Sequence, residues 1–293
     1  LTLCPTQGAL VSVAGGRVDG GARIGAARLT GRIGTTPLTL ATGGATVEIG
    51  RRGFALSRVS TRIGAANRVT RLDFGTVSGR LAGNGLTGAF AGGSGQIANV
   101  PLIIGDAAGD WSLRDGALRL TGALGVSDAQ ADAPRFKPMQ AHDVALSLIG
   151  GRILASGTVY EPTHQVKVAA VTIRHDLGRG TGDADLTVPA IAFADGFQPD
   201  LLTPVTFGVI ADVKGVVTGS GHIAWSGAGV TSTGSFSTES TDLAAAFGPV
   251  TGLKGTIRFT DLLALESASG QVVTVKSINP GIPVTDGRIV FQT

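Results

Sequence analysis

Apolar and polar residues alternate with a period of two along much of the chain. In residues 117–121, for example, two leucines stand on either side of Arg119, and the same alternation occurs in residues 46–50, 165–175 and 287–292. Successive side chains of a strand point to opposite faces, so this pattern predicts strands that are buried on one face. The apolar positions are Val47, Ile49, Leu118, Leu120, Val166, Val168, Val171, Ile173, Ile289 and Phe291.

Asp-Gly pairs separate several of the alternating segments. Asp and Gly both tolerate a positive φ, which a two-residue hairpin turn requires. We therefore predict hairpin turns at the three pairs, residues 19–20, 115–116 and 286–287. Glycine also recurs inside the alternating segments, which predicts bulges and strong bending of the strands.

Helix signals are few. Residues 242–247 carry a potential N-cap at Asp242 and are followed by Gly248 and Pro249, so we predict one short helix there. Residues 193–204 are typical of a loop with one helical turn. The alternation breaks between residues 125 and 145, and we interpret this stretch as a loop between two sheet regions, 1–130 and 131–293, of one continuous sheet.

The pattern as a whole predicts an all-β protein with a long, coiled antiparallel sheet and one or two short helices. A sheet with one apolar face must cover that face. It can close on itself as an ordinary sandwich or a flattened barrel, or it can remain an open apolar groove that holds an apolar ligand. Periodicity alone does not distinguish these outcomes.

Composition supports an ordered chain. Apolar residues are 43% of the sequence and charged residues only 15%, which excludes intrinsic disorder. The sequence contains 46 glycines and 12 prolines without a collagen period. Its single cysteine, Cys4, excludes a disulfide within the chain.

Positive charge is concentrated in the first 80 residues. They contain eleven arginines and three acidic residues, a net charge of +8, whereas the other 213 residues carry −5. Such a segment is typical either of solvated strand faces or of contact with anionic head groups. Nucleic-acid binding is not expected, because no aromatic residues interleave with these arginines. The candidates for an anionic surface are Arg51, Arg52, Arg58 and Arg62.

Catalytic and metal-binding patterns are not found in the sequence. The four histidines have no ligand at metal spacing, and His142 and His175 each precede an aspartate that would point to the opposite face of a strand. The carboxylates are scattered. We therefore expect no enzyme activity, no metal and no cofactor.

The C-terminal part of the sequence resembles the YdbH family of Gram-negative bacteria. The resemblance is carried by Ala246–Val250 (AFGPV), Phe259–Leu263 (FTDLL) and Ile278–Ile282 (INPGI), and it extends to residues 182–204 and 219–236. The resemblance covers residues 182–293 well. The rest of the sequence resembles the family only in its general character.

The resemblance implies a function and a location. Members of the family are AsmA-like proteins, similar in architecture to TamB and to bridge-like lipid transfer proteins, with β-sheet grooves that carry phospholipids across the periplasm. It implies phospholipid acyl chains as ligands and an outer-membrane lipoprotein as a partner. We expect the chain to be part of a longer precursor, anchored in the inner membrane by a helix outside this sequence, with its membrane contacts on the missing parts.

Two other classes stay open at this point. One is a structural or adhesive β-solenoid, whose stacked coils would enclose a filled interior. The other is a carbohydrate-binding β protein, which would need aromatic platforms and a pair of carboxylates in a cleft.

Overall fold

The computed structural model describes residues 5–15, 17–48, 53–65 and 68–292, and these residues are almost entirely β. The helices among them are two single turns of 3-10 helix, Pro199–Leu201 and Pro204–Thr206. They confirm the helical turn predicted at the end of residues 193–204. None of the helices in this part of the chain is long and apolar enough to cross a bilayer.

Twenty strands are assigned in the described residues. Those before the break in the alternation are β1 (Pro5–Ala14), β2 (Arg17–Ile24), β3 (Ala27–Ile33), β4 (Thr36–Thr42), β5 (Gly44–Glu48), β6 (Gly53–Ala65), β7 (Arg68–Ala82), β8 (Gly85–Gln96), β9 (Leu102–Arg114) and β10 (Ala117–Asp128). Residues 129–138 follow without regular structure, inside the stretch predicted to be a loop.

The remaining strands are longer on average. They are β11 (Met139–Ile149), β12 (Arg152–Glu161), β13 (Val166–Asp176), β14 (Thr181–Phe193), β15 (Ile210–Ser226), β16 (Gly229–Ala245), β17 (Gly248–Asp261), β18 (Glu266–Ser267), β19 (Gln271–Ile278) and β20 (Val284–Phe291).

The strands form one open antiparallel sheet. Sequential strands pair through hairpins from β5 to β9 and again from β14 to β17. The predicted all-β antiparallel fold is therefore confirmed. Stacked coils of a β-solenoid would pair in parallel, so the antiparallel ladders argue against that alternative.

The chain divides into two compact units. Unit 1 comprises Leu1–Val126, His142–Ser156 and Arg174–Thr181, and unit 2 comprises Ser127–Ala141, Gly157–Ile173 and Gly182–Thr293. Each unit has its own small apolar cluster. In unit 1 it is formed by Ile63, Leu148 and Leu177. In unit 2 it is formed by Ala169, Val188, Ile191 and Phe197.

The helix predicted at residues 242–247 is wrong. Residues 242–245 continue strand β16, and Leu243, Ala244 and Ala245 pair with β17. Gly248 has a φ of 124°, so the chain reverses there into a hairpin. Cross-strand pairing overrides the high intrinsic helix propensity of three consecutive alanines.

Of the three Asp-Gly pairs, only residues 115–116 form a hairpin turn. Both have positive φ, 50° and 75°, and they connect β9 to β10. Residues 19–20 lie inside β2, because the reversal after β1 comes earlier, where Ala14 pairs with Arg17. Asp286 has a φ of 52° but lies inside β20. There the aspartate's tolerance of positive φ bends a strand rather than closing a turn.

The predicted bulges within strands are confirmed. Gly92 has a φ of 63° and lies where the register between β8 and β9 shifts. Gly252, with a φ of 60°, lies opposite a shift between β16 and β17, and its N–H donates to the Asp242 carboxylate at 2.7 Å. Arg58, Asp106 and Asp212 adopt positive φ inside strands as well. Each such residue interrupts the pleat and bends its strand.

Burial is shallow for a chain so rich in apolar residues. In the described part of the chain, no large side chain is completely shielded from solvent. Closely packed sandwich cores normally enclose several such residues. The structure therefore favours an open sheet over the ordinary sandwich.

Candidate functional site

Strands β5 to β9 of unit 1 present a row of apolar residues on one face. Directly paired residues of an antiparallel sheet share a face, so the pairing partners can be followed from strand to strand. The row runs through Val47, Phe54, Gly79, Gly88 and Trp111.

Two further rows on the same face are apolar as well. Because side chains alternate along each strand, residues two positions away from the first row point in the same direction. One row is Ala45, Leu56, Val77, Phe90 and Gly109, and the other is Leu81, Leu86 and Leu113. The three rows together form a continuous surface without a charged or hydroxyl side chain.

Two aromatic rings cover the glycines of the first row. The rings of Phe54 and Trp111 lie 6.2 Å apart between centroids, and a Cβ atom at Gly79 would come within 2.6 Å of both. The indole N–H of Trp111 donates to the carbonyl of Ser78 at 2.9 Å. The only polar group of either ring is therefore satisfied by the sheet itself, and the rings offer their apolar faces.

This apolar face contributes to a concavity of about 570 Å³ in unit 1. Its walls come from strands β2 to β8, and Arg28 and Glu48 supply charges among mostly aliphatic residues. Leu29 and Leu81 in its lining are 49% and 55% exposed. Apolar side chains that line it include Ile24, Leu29, Leu40, Val47, Phe54 and Leu86.

The opposite face of the same strands is small and polar. One row there runs through Thr46, Ala55, Ser78, Ala89 and Asp110. Unit 1 is thus amphipathic across the thickness of the sheet. A second concavity, of about 650 Å³, is lined by Gly79, Gly88 and Trp111 of the first apolar row and by Leu120, together with the charged neighbours Arg80, Asp110 and Arg119.

Only some of the residues predicted to line a groove belong to these concavities. Val47 lines the concavity of about 570 Å³, and Leu120 lines the one of about 650 Å³ together with Trp111. Leu118 is half-buried and packs against the cluster of Ile63, Leu148 and Leu177. Ile49 lies outside the described residues.

The candidates in unit 2 are placed differently. Val166, Val168 and Val171 pack against the buried cluster of that unit. Ile173 on β13 and Ile289 and Phe291 on β20 are half-buried. The alternation therefore predicts which positions of a strand are apolar. It does not separate residues that line a concavity from residues that pack in a core.

The arginine candidates also differ from one another. Arg51 and Arg52 lie outside the described residues. Arg58 is exposed, and its Nη2 donates to the carbonyl of Gly43 at 3.2 Å. Arg62 forms a two-pronged ion pair with Asp73, with N–O distances of 2.7 and 3.3 Å, so much of its charge is already compensated.

In unit 2, the chain covers its own apolar face. The segment 194–206 leaves β14 and lays Phe197 against Phe193, with parallel rings 5.7 Å apart. The Gln198 side chain donates to the carbonyls of Ala194 and Val213 and accepts from the Val213 N–H. The apolar cluster of unit 2 is consequently filled by protein, whereas the described residues line the concavity of unit 1 without filling it.

One histidine meets carboxylates, contrary to the sequence-based expectation. His222 on β15 pairs with Asp185 on β14, and its Nδ1 lies 2.7 Å from a carboxylate oxygen of that residue. Asp183, two residues along β14, brings a third potential ligand atom within 4.8 Å. We interpret the group as a surface ion-pair cluster, because both aspartates have further partners. The arrangement depends on the strand register, which spacing along the sequence does not give.

Sequence reasoning missed most residues of the apolar concavity. Phe54, Leu56, Leu81 and Leu86 were not identified, because glycine and serine interrupt their alternation. Apolar residues placed symmetrically about the β7–β8 turn could have identified this face. They pair as Leu81 with Leu86 and Val77 with Phe90.

Comparison with known proteins identifies one family. The family model named YdbH-like, described as intermembrane phospholipid transport protein YdbH, matches residues 1–293. The match extends the resemblance from the C-terminal part to the whole chain. No curated protein and no solved structure matches.

Proposed function

The chain belongs to the YdbH-like family of intermembrane phospholipid transport proteins, and from this premise we propose that unit 1 holds phospholipid acyl chains on the apolar face of strands β5 to β9. In this proposal the protein is a segment of a periplasmic conduit. It carries lipid between the inner and outer membranes without catalysing a reaction.

The observation that carries the proposal is the uncovered apolar face of unit 1. Leucines such as Leu81 and Leu113 are exposed on it, next to the aromatic rings of Phe54 and Trp111. Water contact with apolar surface costs about 25 cal/mol per Å², so a contiguous apolar face of this kind is typical of a binding site. An acyl chain is the natural ligand, because it is apolar along its whole length.

The lining also suits a ligand that must move. The three rows offer no hydrogen-bonding side chain to the ligand, since the Trp111 N–H is bonded to the Ser78 carbonyl. Dispersion and burial depend little on the exact position of a methylene group along the face. An acyl chain could therefore shift along the rows without crossing a large barrier.

Head groups would remain at the border of the apolar face. Arg28 lines the concavity and is exposed, and Arg58 is exposed on β6. We propose these two as contacts for phosphate, together with Arg51 and Arg52. Arg62 is a weaker candidate because Asp73 already neutralises it.

Photocrosslinking at two adjacent residues of β7 tests the proposal. Leu81 lies on the apolar face, Arg80 pairs with Thr87 on the opposite face, and both side chains are exposed. A photoreactive amino acid at position 81 should crosslink phospholipid in cells, and the same amino acid at position 80 should not. Equal crosslinking at both positions, or none at position 81, would contradict the proposal.

A further inference from the structure

Three loops of unit 2 lie at the same end of its sheet. Ile210 pairs with Ala245, Ala245 with Gly248, and Ile278 with Val284, so these strand ends are aligned. Val250, two residues after Gly248, pairs with Ile278 and joins the two halves of this row. The segments that extend past this row are residues 205–209, 246–247 and 279–283.

The loops display large apolar side chains to solvent. Phe207 is 80% exposed, Ile282 is 78% exposed, and Phe247 is 54% exposed. Val209 and Val284 are exposed beside them. We call the five residues Phe207, Val209, Phe247, Ile282 and Val284 the apolar end.

Charge is missing from the sequence around the apolar end. Residues 201–211, 243–253 and 277–285 contain no Asp, Glu, Lys, Arg or His. The nearest charged residues in sequence, Asp212, Asp242, Lys276 and Asp286, lie on the strands behind the loops. In a chain with a charged residue at about every seventh position, three uncharged stretches at one end of a sheet are a distinct surface.

Two amide groups of the first loop are bonded within the loop itself. The N–H of Phe207 donates to the Pro204 carbonyl, and the N–H of Val209 donates to the Thr206 carbonyl, both at 3.1 Å. The Thr206 hydroxyl donates to the carbonyl of Thr203 at 3.0 Å. Phe207 and Val209, whose apolar side chains are exposed in this loop, therefore both have bonded N–H groups.

Two amide groups of the third loop also have hydrogen-bond acceptors. The N–H of Asn279 donates to the Pro249 carbonyl, and the N–H of Gly281 donates to the Asn279 side chain, both at 3.1 Å. Pro280 and Pro283 have no N–H to satisfy. A protein partner would normally bond to polar groups at the border of an interface, and these four amide groups are already bonded within the unit.

We propose that the apolar end inserts into the surface of a phospholipid bilayer. Each bonded amide group lowers the cost of entering hydrocarbon, and the lack of charged side chains in the loops avoids the cost of desolvating ions. Because no basic residue lies in the loops, the insertion depends on apolar contact and does not select anionic lipids. This contact is separate from acyl-chain binding in unit 1.

The test is flotation of the full chain with vesicles of phosphatidylcholine alone, at low and at high salt. We expect binding that salt does not weaken. The double variant Phe207→Ser/Ile282→Ser should bind at least about tenfold more weakly, because it withdraws two large apolar side chains from hydrocarbon. Binding that is absent in the wild type, or unchanged in the double variant, would overturn the proposal.

A matched pair of variants on β20 controls for general loss of apolar surface. Val284→Ser lies at the apolar end, and Val290→Ser lies toward the other end of the same strand, where Val290 is also exposed. Only the first should weaken flotation. Equal loss in both variants would show that the effect is not local.

Depth of insertion gives a second, independent measurement. A tryptophan introduced as Phe207→Trp should be quenched by phosphatidylcholine brominated on its acyl chains. Absence of quenching on vesicle-bound protein would place the loop outside the bilayer. If the chain instead self-associates in solution and the double variant abolishes this, the apolar end is an interface between copies and the bilayer proposal fails.

Discussion

Leu81 and Val59 show how an exposed apolar residue of unit 1 differs from a core residue. Leu81 is 55% exposed on the apolar face of β7, so a polar substitution there removes little buried area. Val59, on the neighbouring strand β6 of the same unit, is buried, with 3% exposure. Both are aliphatic residues on adjacent strands, and only their environments differ.

Aspartate substitution at these two residues should separate lipid passage from stability. Leu81→Asp is expected to change the free energy of unfolding by less than about 0.5 kcal/mol and to abolish lipid crosslinking, because a carboxylate is costly next to an acyl chain. Val59→Asp buries that carboxylate and should cost about 3 kcal/mol or more. Thermal unfolding and crosslinking are measured together. Unfolding by Leu81→Asp would mean that this face is closed core.

The same contrast explains why sequence predicted apolar faces but not their use. Val47 and Val168 both alternate with polar neighbours, yet the first lines the concavity of unit 1 and the second packs on the core of unit 2. The difference arises from residues 194–206, which cover the face in unit 2 and have no sequence signal that states where they pack. A period of two indicates which side of a strand is apolar. What covers that side can be seen only in the tertiary structure.

At the scale of elements, turn chemistry was partly predictable. The Asp-Gly pair at 115–116 forms the expected hairpin turn, whereas Asp286 uses the same positive φ to bend β20. An Asp-Gly pair makes backbone conformations with positive φ accessible. The pairing of the flanking strands determines whether such a conformation closes a turn or bends a strand. That pairing also turned the predicted helix at 242–247 into the end of β16.

The connection between β10 and β11 depends on one buried carboxylate. Asp128 accepts from the Arg135 guanidinium at 2.7 Å and from the N–H groups of Gln130 and Arg135 at 3.0 and 2.7 Å. Burial alone would raise the pKa of Asp128, but these hydrogen bonds outweigh it and lower the pKa to about 2. The carboxylate thereby holds an irregular segment of ten residues in one conformation.

Asp128 should make stability depend on pH in acid. Because its folded pKa lies below the unfolded value of 3.8, its contribution is present above about pH 4 and is lost as pH falls toward 2. The shift corresponds to about 2 kcal/mol. Asp128→Asn should lose that amount at neutral pH, and its difference from the wild type should shrink in urea titrations below about pH 4. Asp132→Asn, an exposed change in the same segment, is the control and should behave as wild type.

At the scale of the whole molecule, two separate features of the chain favour contact with membranes. The first 80 residues carry +8, and the apolar end of unit 2 carries no charge. Coulomb attraction to anionic lipid weakens with salt, since screening shortens to about 8 Å near physiological ionic strength. Apolar insertion does not weaken in this way. The two contributions can therefore be resolved by lipid composition and salt.

The arginine contribution is best measured after the apolar one has been removed. In the Phe207→Ser/Ile282→Ser background, binding to vesicles that contain anionic lipid should exceed binding to neutral vesicles at low salt and should decline as salt rises. Adding Arg51→Gln, Arg52→Gln and Arg58→Gln should reduce it further, by about 1 kcal/mol for each charge near the surface.

Arg62→Gln is the matched control, because it removes the same formal charge as Arg58→Gln but from a guanidinium that Asp73 already pairs. Equal binding of the background variant to neutral and anionic vesicles at low salt would assign these arginines to ordinary solvated strand faces. An effect of Arg62→Gln as large as that of Arg58→Gln would show that net charge, rather than the particular arginine, determines the binding.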